Sequence, residues 1–174
     1  MRATRCAVRR RSSRSYRGQV CRRMLDAMKS PSDLRQTLKN VLAAQRFCVL
    51  ATHGQGQPYG SLVAFAETDD LKQLVFATSR ATRKFSNLMA DPRVALVVDS
   101  RSNSDSDLRN AVAITALGPA HEAAGNERER LAELYLAKHP GLVQFIGSPE
   151  MAVCAVEVED YVIATFSGVT KLKA

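Results

Sequence analysis

The chain has 174 residues, 45% of them hydrophobic, and a formal charge of +8, which is enough for one domain with a proper core and too little for two ordinary ones. The charge is uneven: residues 1–25 hold nine Arg, no Lys and no acid, leaving 16 basic against 17 acidic residues elsewhere, so any contact with nucleic acid is confined to the tail. No apolar run approaches the roughly 20 residues of a membrane-spanning helix, and Cys6, Cys21, Cys48 and Cys154 make no CxxC pair or Cys/His cluster, so neither a disulfide framework nor a metal site is indicated.

Residues 1–30 read as a basic tail and residues 31–170 as one folded domain. The tail is rich in Arg and Ser and has no apolar h-region, which excludes a secretory signal. A transit peptide, a basic arm for nucleic acid or anionic lipid, and a stretch upstream of a true start at Met24 or Met28 all share this composition; the last is favoured, because the segment has no helical amphipathicity. The tail is expected to be disordered. Cys48 and Cys154 lie in apolar, strand-like runs and are expected as buried free thiols in a reducing, cytoplasmic setting, with organellar import only if the tail is a transit peptide.

Pro31-Ser32 opens a helix with Leu34, Leu38, Val41 and Leu42 on one face, ending near Gln45. Short strands follow between turn signals, FCVLATH (47–53), YGSLVAFAE (59–67) and LVFATS (74–79), and the tight spacing predicts antiparallel hairpins. A short helix opens near Thr82 and stops by Asp91-Pro92, since proline disfavours helical geometry in the residue before it. RVALVVDS (93–100) and NAVAITALG (110–118) read as strands around an exposed polar loop. A helix over Asn126–His139 carries Leu131, Leu134, Tyr135 and Lys138 at helical spacing, and MAVCAVEVEDYVIATFSG (151–168) reads as one long last strand. Six strands with three helices and no regular strand–helix–strand alternation predict an α+β barrel rather than a doubly wound sheet.

The short helix carries the chemical signal. Arg80, Arg83 and Lys84 sit at its N-terminal end, where backbone N–H groups and the macrodipole are already positive, so cations there are unfavourable unless an anion offsets them. A phosphate at a strand-to-helix turn is the usual occupant. The competing reading pairs these cations with Glu67, Asp69, Asp70 or Asp91 as weak surface ion pairs.

The run T-S-x-x-x-R-K-x-x-x-L-x-x-x-P-R-V, Thr78 to Val94, within a resemblance over residues 33–168, is similar to the FMN-phosphate segment of the split-barrel proteins of the pyridoxamine 5′-phosphate oxidase-like superfamily. The resemblance implies a split β-barrel of about six mostly antiparallel strands with flanking helices, forming a homodimer with the flavin at its interface. It implies ring contacts on Gly60, Ser61, Leu62 and Val63, further contacts on Ala77 and Thr78, and a phosphate clamp of Arg83 and Lys84 with Arg80 as a weaker third. The chain departs from the oxidases at Gly60, where they have Arg, and at Phe65, where they have Lys. It also lacks their C-terminal Arg and His and their glutamine on the fifth strand, so pyridoxamine phosphate oxidation itself is not expected. LYLAKHPGLVQFIGSPEMAVCAVEVEDYVIATFSGV (134–168) resembles haem-utilisation proteins on the same barrel, although no histidine follows His139.

The expected protein is therefore an FMN-dependent oxidoreductase acting between a small-molecule substrate or electron donor and an acceptor. The alternatives are a haem-binding or haem-utilisation protein and a non-catalytic flavin-binding stress or sensing protein; a deazaflavin would fit the same clamp. No general acid, general base or nucleophile stands out. His53, His121 and His139 are each expected in local structural roles, His139 through its place at a helix terminus.

Overall fold

A computed structural model of the chain describes residues 30–174; the predicted basic tail lies outside the described residues, apart from Ser30. Helix α1 (Pro31–Ala44) opens on Ser30, whose hydroxyl accepts from the Asp33 N–H at 3.1 Å, and buries Leu34, Leu38, Val41 and Leu42. Strands β1 (Phe47–Gly54) and β2 (Gln57–Glu67) form a hairpin in the register Gly54↔Gln57. Its two turn residues, Gln55 and Gly56, both have positive φ, at 52° and 79°, as a hairpin turn that follows the strand twist requires.

The remaining strands close the barrel. β3 (Gln73–Ser79) pairs along its whole length with β6 (Met151–Glu157), β4 (Arg93–Asp99) pairs with β1 and with β5 (Ala113–Glu122), and the end of β5 pairs with β6. The circuit β1-β2-β3-β6-β5-β4 returns to β1 with every pairing antiparallel. The fold is thus α+β, a six-stranded barrel with an added hairpin of β7 (Asp160–Thr165) and β8 (Gly168–Lys173) on the edge of β5.

Leu50, Phe65, Phe76, Leu96, Ile114 and Tyr161 fill the interior. A second apolar layer forms outside, where helix α4 (Gly125–Lys138) lays Leu131 and Tyr135 over Ala66, Val75, Ala77 and Val153. β3 and β6 are therefore buried on both faces, which is why LVFAT and AVCAV read as continuous apolar runs rather than alternations.

Two expectations change. The single long strand predicted over residues 151–168 is broken at Val158-Glu159, whose N–H groups donate to Lys72 at 2.8 Å and Leu117 at 2.9 Å. Those bonds turn the chain from β3 towards β5, and with the C-terminal β8 the described strands number eight rather than six. Gly118 lets the crossing pass, since a Cβ there would sit 1.9 Å from the Glu157 carbonyl oxygen. The loop at 101–109 holds one exposed helical turn, α3 (Asp107–Asn110), and a short helix α5 (Val143–Gly147) follows a 3₁₀ turn at Pro140–Leu142. No helix among the described residues is long and apolar enough to cross a membrane.

Candidate functional site

The barrel is split between β2 and β3. They pair only through Phe65–Glu67 and Leu74–Phe76; beyond that point β2 stays with β1 and β3 with β6. Leu62–Ala64 and Ala77–Ser79 are left facing each other across a gap, each with one strand edge that no neighbouring strand occupies. Strand edges carry backbone donors and acceptors that need partners. A cleft of about 340 Å³ fills this gap.

Leu62, Val63, Ala77, Thr78 and Lys84 line that cleft together, so five of the nine sequence-predicted positions converge. Helix α2 (Arg83–Ala90) points its N-terminus at the cleft because it is pinned at its other side: Asn87, buried, donates to Thr52 Oγ1 at 3.1 Å and lies against Gly54, where a Cβ would meet its Oδ1 at 2.2 Å. Thr82 stands at the N-cap, as expected, but makes no capping bond; its hydroxyl donates to the Ser79 carbonyl at 2.8 Å and lies 3.1 Å from Thr78 Oγ1. The first-turn N–H groups thus have no side-chain cap, and the first turn holds no acidic residue.

Three of the four acids that could have neutralised this end are engaged elsewhere, and the fourth, Asp69, pairs with neither Arg83 nor Lys84 among the described residues. Glu67 holds Lys138 at 2.6 Å, Asp91 binds Arg93 at 2.6 Å, and Asp70 accepts from Thr68 at 2.7 Å and from the Lys72 N–H at 3.0 Å. Arg93 keeps the Asp91 carboxyl well down, at about 2. Among the described residues Arg83 and Lys84 make no ion pair, but only Lys84 lines the cleft; Arg83, at the mouth of the same helix, has its guanidinium 4.7 Å from the centre of the Tyr59 ring.

Arg80 differs from its two neighbours. Its guanidinium is ion-paired to Glu122, with Nε donating at 3.0 Å, and Nη1 donates to the Pro149 carbonyl at 2.6 Å. The weaker third member of the predicted clamp is therefore engaged elsewhere. Gly60 and Ser61 lie further along β2, outside the cleft lining. The Ser61 hydroxyl is buried with no hydrogen-bond partner among the described residues.

Sequence reasoning missed the opposite wall, formed by Tyr135, Leu142 and Phe145. Tyr135 was visible only as a core position of a helix, and nothing local tells which strand gap that face covers. Burial pushes its phenol up to about 12, so it is neutral at physiological pH. The cleft thus has one cationic, hydroxyl-bearing end, two bare backbone edges and an apolar aromatic side. His139, by contrast, is structural: it caps α4, is buried against Tyr135 with ring centroids 4.8 Å apart, and its Nε2 lies 2.8 Å from the Phe65 carbonyl.

Comparison with known proteins agrees with this fold. The profile of the family described as pyridoxamine 5′-phosphate oxidase matches residues 34–162. Among solved structures, the chain is similar to a heme binding protein from Mycobacterium smegmatis, at TM-score 0.69 and 20% identity over 76% of this chain and 55% of that one. It is similar to Campylobacter jejuni ChuZ at TM-score 0.73 and 12% identity, over 94% of this chain and 69% of the other. A FAD-binding protein from Mesorhizobium loti matches at TM-score 0.58 and 21% identity, over 73% and 89%. The chain thus spans just over half the length of the mycobacterial protein. No curated protein matches by sequence.

Proposed function

The chain belongs to the pyridoxamine 5′-phosphate oxidase family, and we propose that it is a split-barrel flavoprotein that holds FMN in the cleft between β2 and β3. The observation that carries this reading is the N-terminus of α2, where Arg83 and Lys84 stand without an ion pair among the described residues beside a helix end without a side-chain cap. The residues present fit the group. A phosphate dianion would take the first-turn N–H groups and both cations. A flat heterocycle with polar edges would take the backbone of Leu62–Ala64 and Ala77–Thr78, against the apolar wall of Leu142 and Phe145.

FMN, when bound, supplies hydride or electron transfer, so the protein's part is position, exclusion of water and charge. The reading is an oxidoreductase with a small-molecule substrate or electron donor, and not a pyridoxamine phosphate oxidase, given Gly60, Phe65 and a C-terminus that ends SGVTKLKA. A homodimer completes the site. Phe47, Val49 and Leu62 expose 56%, 39% and 70% of their surface on one outward face of β1 and β2, an apolar patch of the kind that marks an interface.

Haem is the second reading, drawn from the likeness to the mycobacterial protein. Against it, no histidine lines the cleft. The test is the purified protein's absorption spectrum, alone and after addition of FMN or haem. Flavin bands with saturable FMN binding support the proposal; a Soret shift without FMN binding supports haem carriage; a protein that takes up neither refutes both.

A further inference from the structure

A second cluster lies on the outer, α4-covered face of the barrel, towards the other end of β3 and β6. His121 near the end of β5, Glu127 in the first turn of α4 and Glu157 at the end of β6 bring one ligand atom each to within 4.8 Å of one another. The β5–β6 register, with His121 opposite Ala155, sets His121 and Glu157 two residues apart across the ladder. The short link from β5 to α4 then folds Glu127 back, and His121 Nε2 lies 3.1 Å from its Oε1.

The surroundings hold this arrangement in place. Gln73, paired with Glu157 in the β3–β6 ladder, donates from Nε2 to Glu157 Oε1 at 2.6 Å, and Arg130 Nη2 donates to Gln73 Oε1 at 3.1 Å. Arg130, one turn beyond Glu127, is therefore engaged with an uncharged amide rather than with either carboxylate. Two carboxylates are left close together beside an imidazole, and like charges at this range repel unless a cation intervenes. A groove of about 460 Å³, with Thr68, Lys72, Gln73, Arg130 and Glu157 in its wall, opens beside the cluster.

We propose that His121, Glu127 and Glu157 form a binding site for a divalent first-row transition metal ion, with zinc the best match, whose fourth position opens to the groove. One imidazole nitrogen and two carboxylate oxygens are a common ligand set for such ions, with bonds of about 2.0–2.2 Å. Tetrahedral binding brings ligand atoms to about 3.4 Å of each other; the His121–Glu127 pair is already that close, and Glu157 needs only a side-chain adjustment. Gln73 and Arg130 are the positioning residues that hold the ligand carboxylate. The site is distinct from the flavin cleft: Gln73, beside the one, and Ala77, in the wall of the other, are about 13 Å apart along β3 at strand spacing.

The test is a zinc titration of the full chain by calorimetry, with cobalt(II) as the spectroscopic probe. The expected result is one equivalent bound, at least tenfold more weakly in His121→Ala and in Glu157→Gln, with FMN affinity unchanged in both. Gln73→Ala should weaken zinc severalfold while leaving the thermal melt of the metal-free protein nearly in place. The cobalt spectrum should lack a thiolate charge-transfer band, which separates this site from binding by cysteines. If His121→Ala fails to fold, Glu127→Gln keeps the shape and answers the same question. No zinc binding, binding indifferent to these substitutions, or a thiolate band would overturn the assignment.

Discussion

Replacing Arg83 and Lys84 together with Ala tests the flavin site at its most specific point. A charge-assisted hydrogen bond is worth about 1.5–3 kcal/mol, but Arg83 is exposed and Lys84 only half-buried, so screening reduces each to about 1 kcal/mol. Together they predict a loss of about 2 kcal/mol, or roughly thirtyfold in the FMN dissociation constant. Because the two residues act on the phosphate, riboflavin, which has the ring without the phosphate, should bind the double variant and the parent alike. Arg80→Ala should leave FMN binding almost untouched, since Glu122 and the Pro149 carbonyl already hold that guanidinium. Quenching of flavin fluorescence reads all five affinities. An FMN constant that does not move, or one that weakens in step with riboflavin, refutes the clamp; so does an Arg80→Ala loss as large as that of the double variant.

Leu62→Glu places a charge on the exposed apolar face of β2, and should turn a dimer into a monomer in light scattering and abolish FMN binding with it; a dimer that persists shows that the interface lies elsewhere. Gly118→Ala drives a methyl group into the Glu157 carbonyl oxygen, 1.9 Å from the ideal Cβ. Backbone cannot yield as a side chain does, so a loss of about 1–3 kcal/mol is expected in denaturant unfolding. Burial pushes the Cys48 and Cys154 thiols up to about 12, so neither should react with a thiol reagent at neutral pH until the protein is unfolded, as peptide mass mapping would show. Asp91 has its carboxyl lowered to about 2 by Arg93, so between its unfolded value of 3.8 and about 2 the unfolded chain binds more protons than the folded one. Its contribution is therefore complete above pH 3.8 and lost as pH falls towards 2. Asp91→Asn should remove that contribution, lowering stability near neutrality and flattening the stability curve between pH 3.8 and about 2.

How much of this was legible in the sequence depends on how local the signal was. Helix α1 announces itself by Pro31-Ser32 and its apolar face, and the β1–β2 turn by the GQGQP stretch between two apolar runs, because caps and turns are settled by neighbouring residues. The break of the predicted last strand at Val158-Glu159 could not be read, since its cause lies in the distant carbonyls of Lys72 and Leu117. The same limit divides the site. The proposed clamp could be read because a helix N-terminus and its cations are contiguous in sequence, whereas the engagements of their neighbours are tertiary. Arg80 is drawn away from the proposed clamp by Glu122, 42 residues away, and Asp91 and Glu67 are held by Arg93 and Lys138. His121, Glu127 and Glu157 follow no motif spacing, and only the β5–β6 register brings them together.

The split explains why the cleft lies where it does. A closed barrel satisfies its backbone by strand pairing, and any gap leaves donors and acceptors that must be met by something else. Here the gap opens where β2 follows β1 and β3 follows β6, and α2 begins immediately after β3, so the unpaired edges and the uncapped helix end face one volume. Filling that volume with apolar side chains would bury the edges unsatisfied; leaving it open to water would give up the apolar wall of Leu142 and Phe145. A ligand that is flat, apolar on its faces, polar along its rim and anionic at one end meets all three demands at once, and a flavin phosphate has those properties. The exposed Phe47, Val49 and Leu62 beside the cleft carry the same logic to the assembly: covering them with a second copy would exclude water from the ring while leaving the phosphate end beside Arg83 and Lys84.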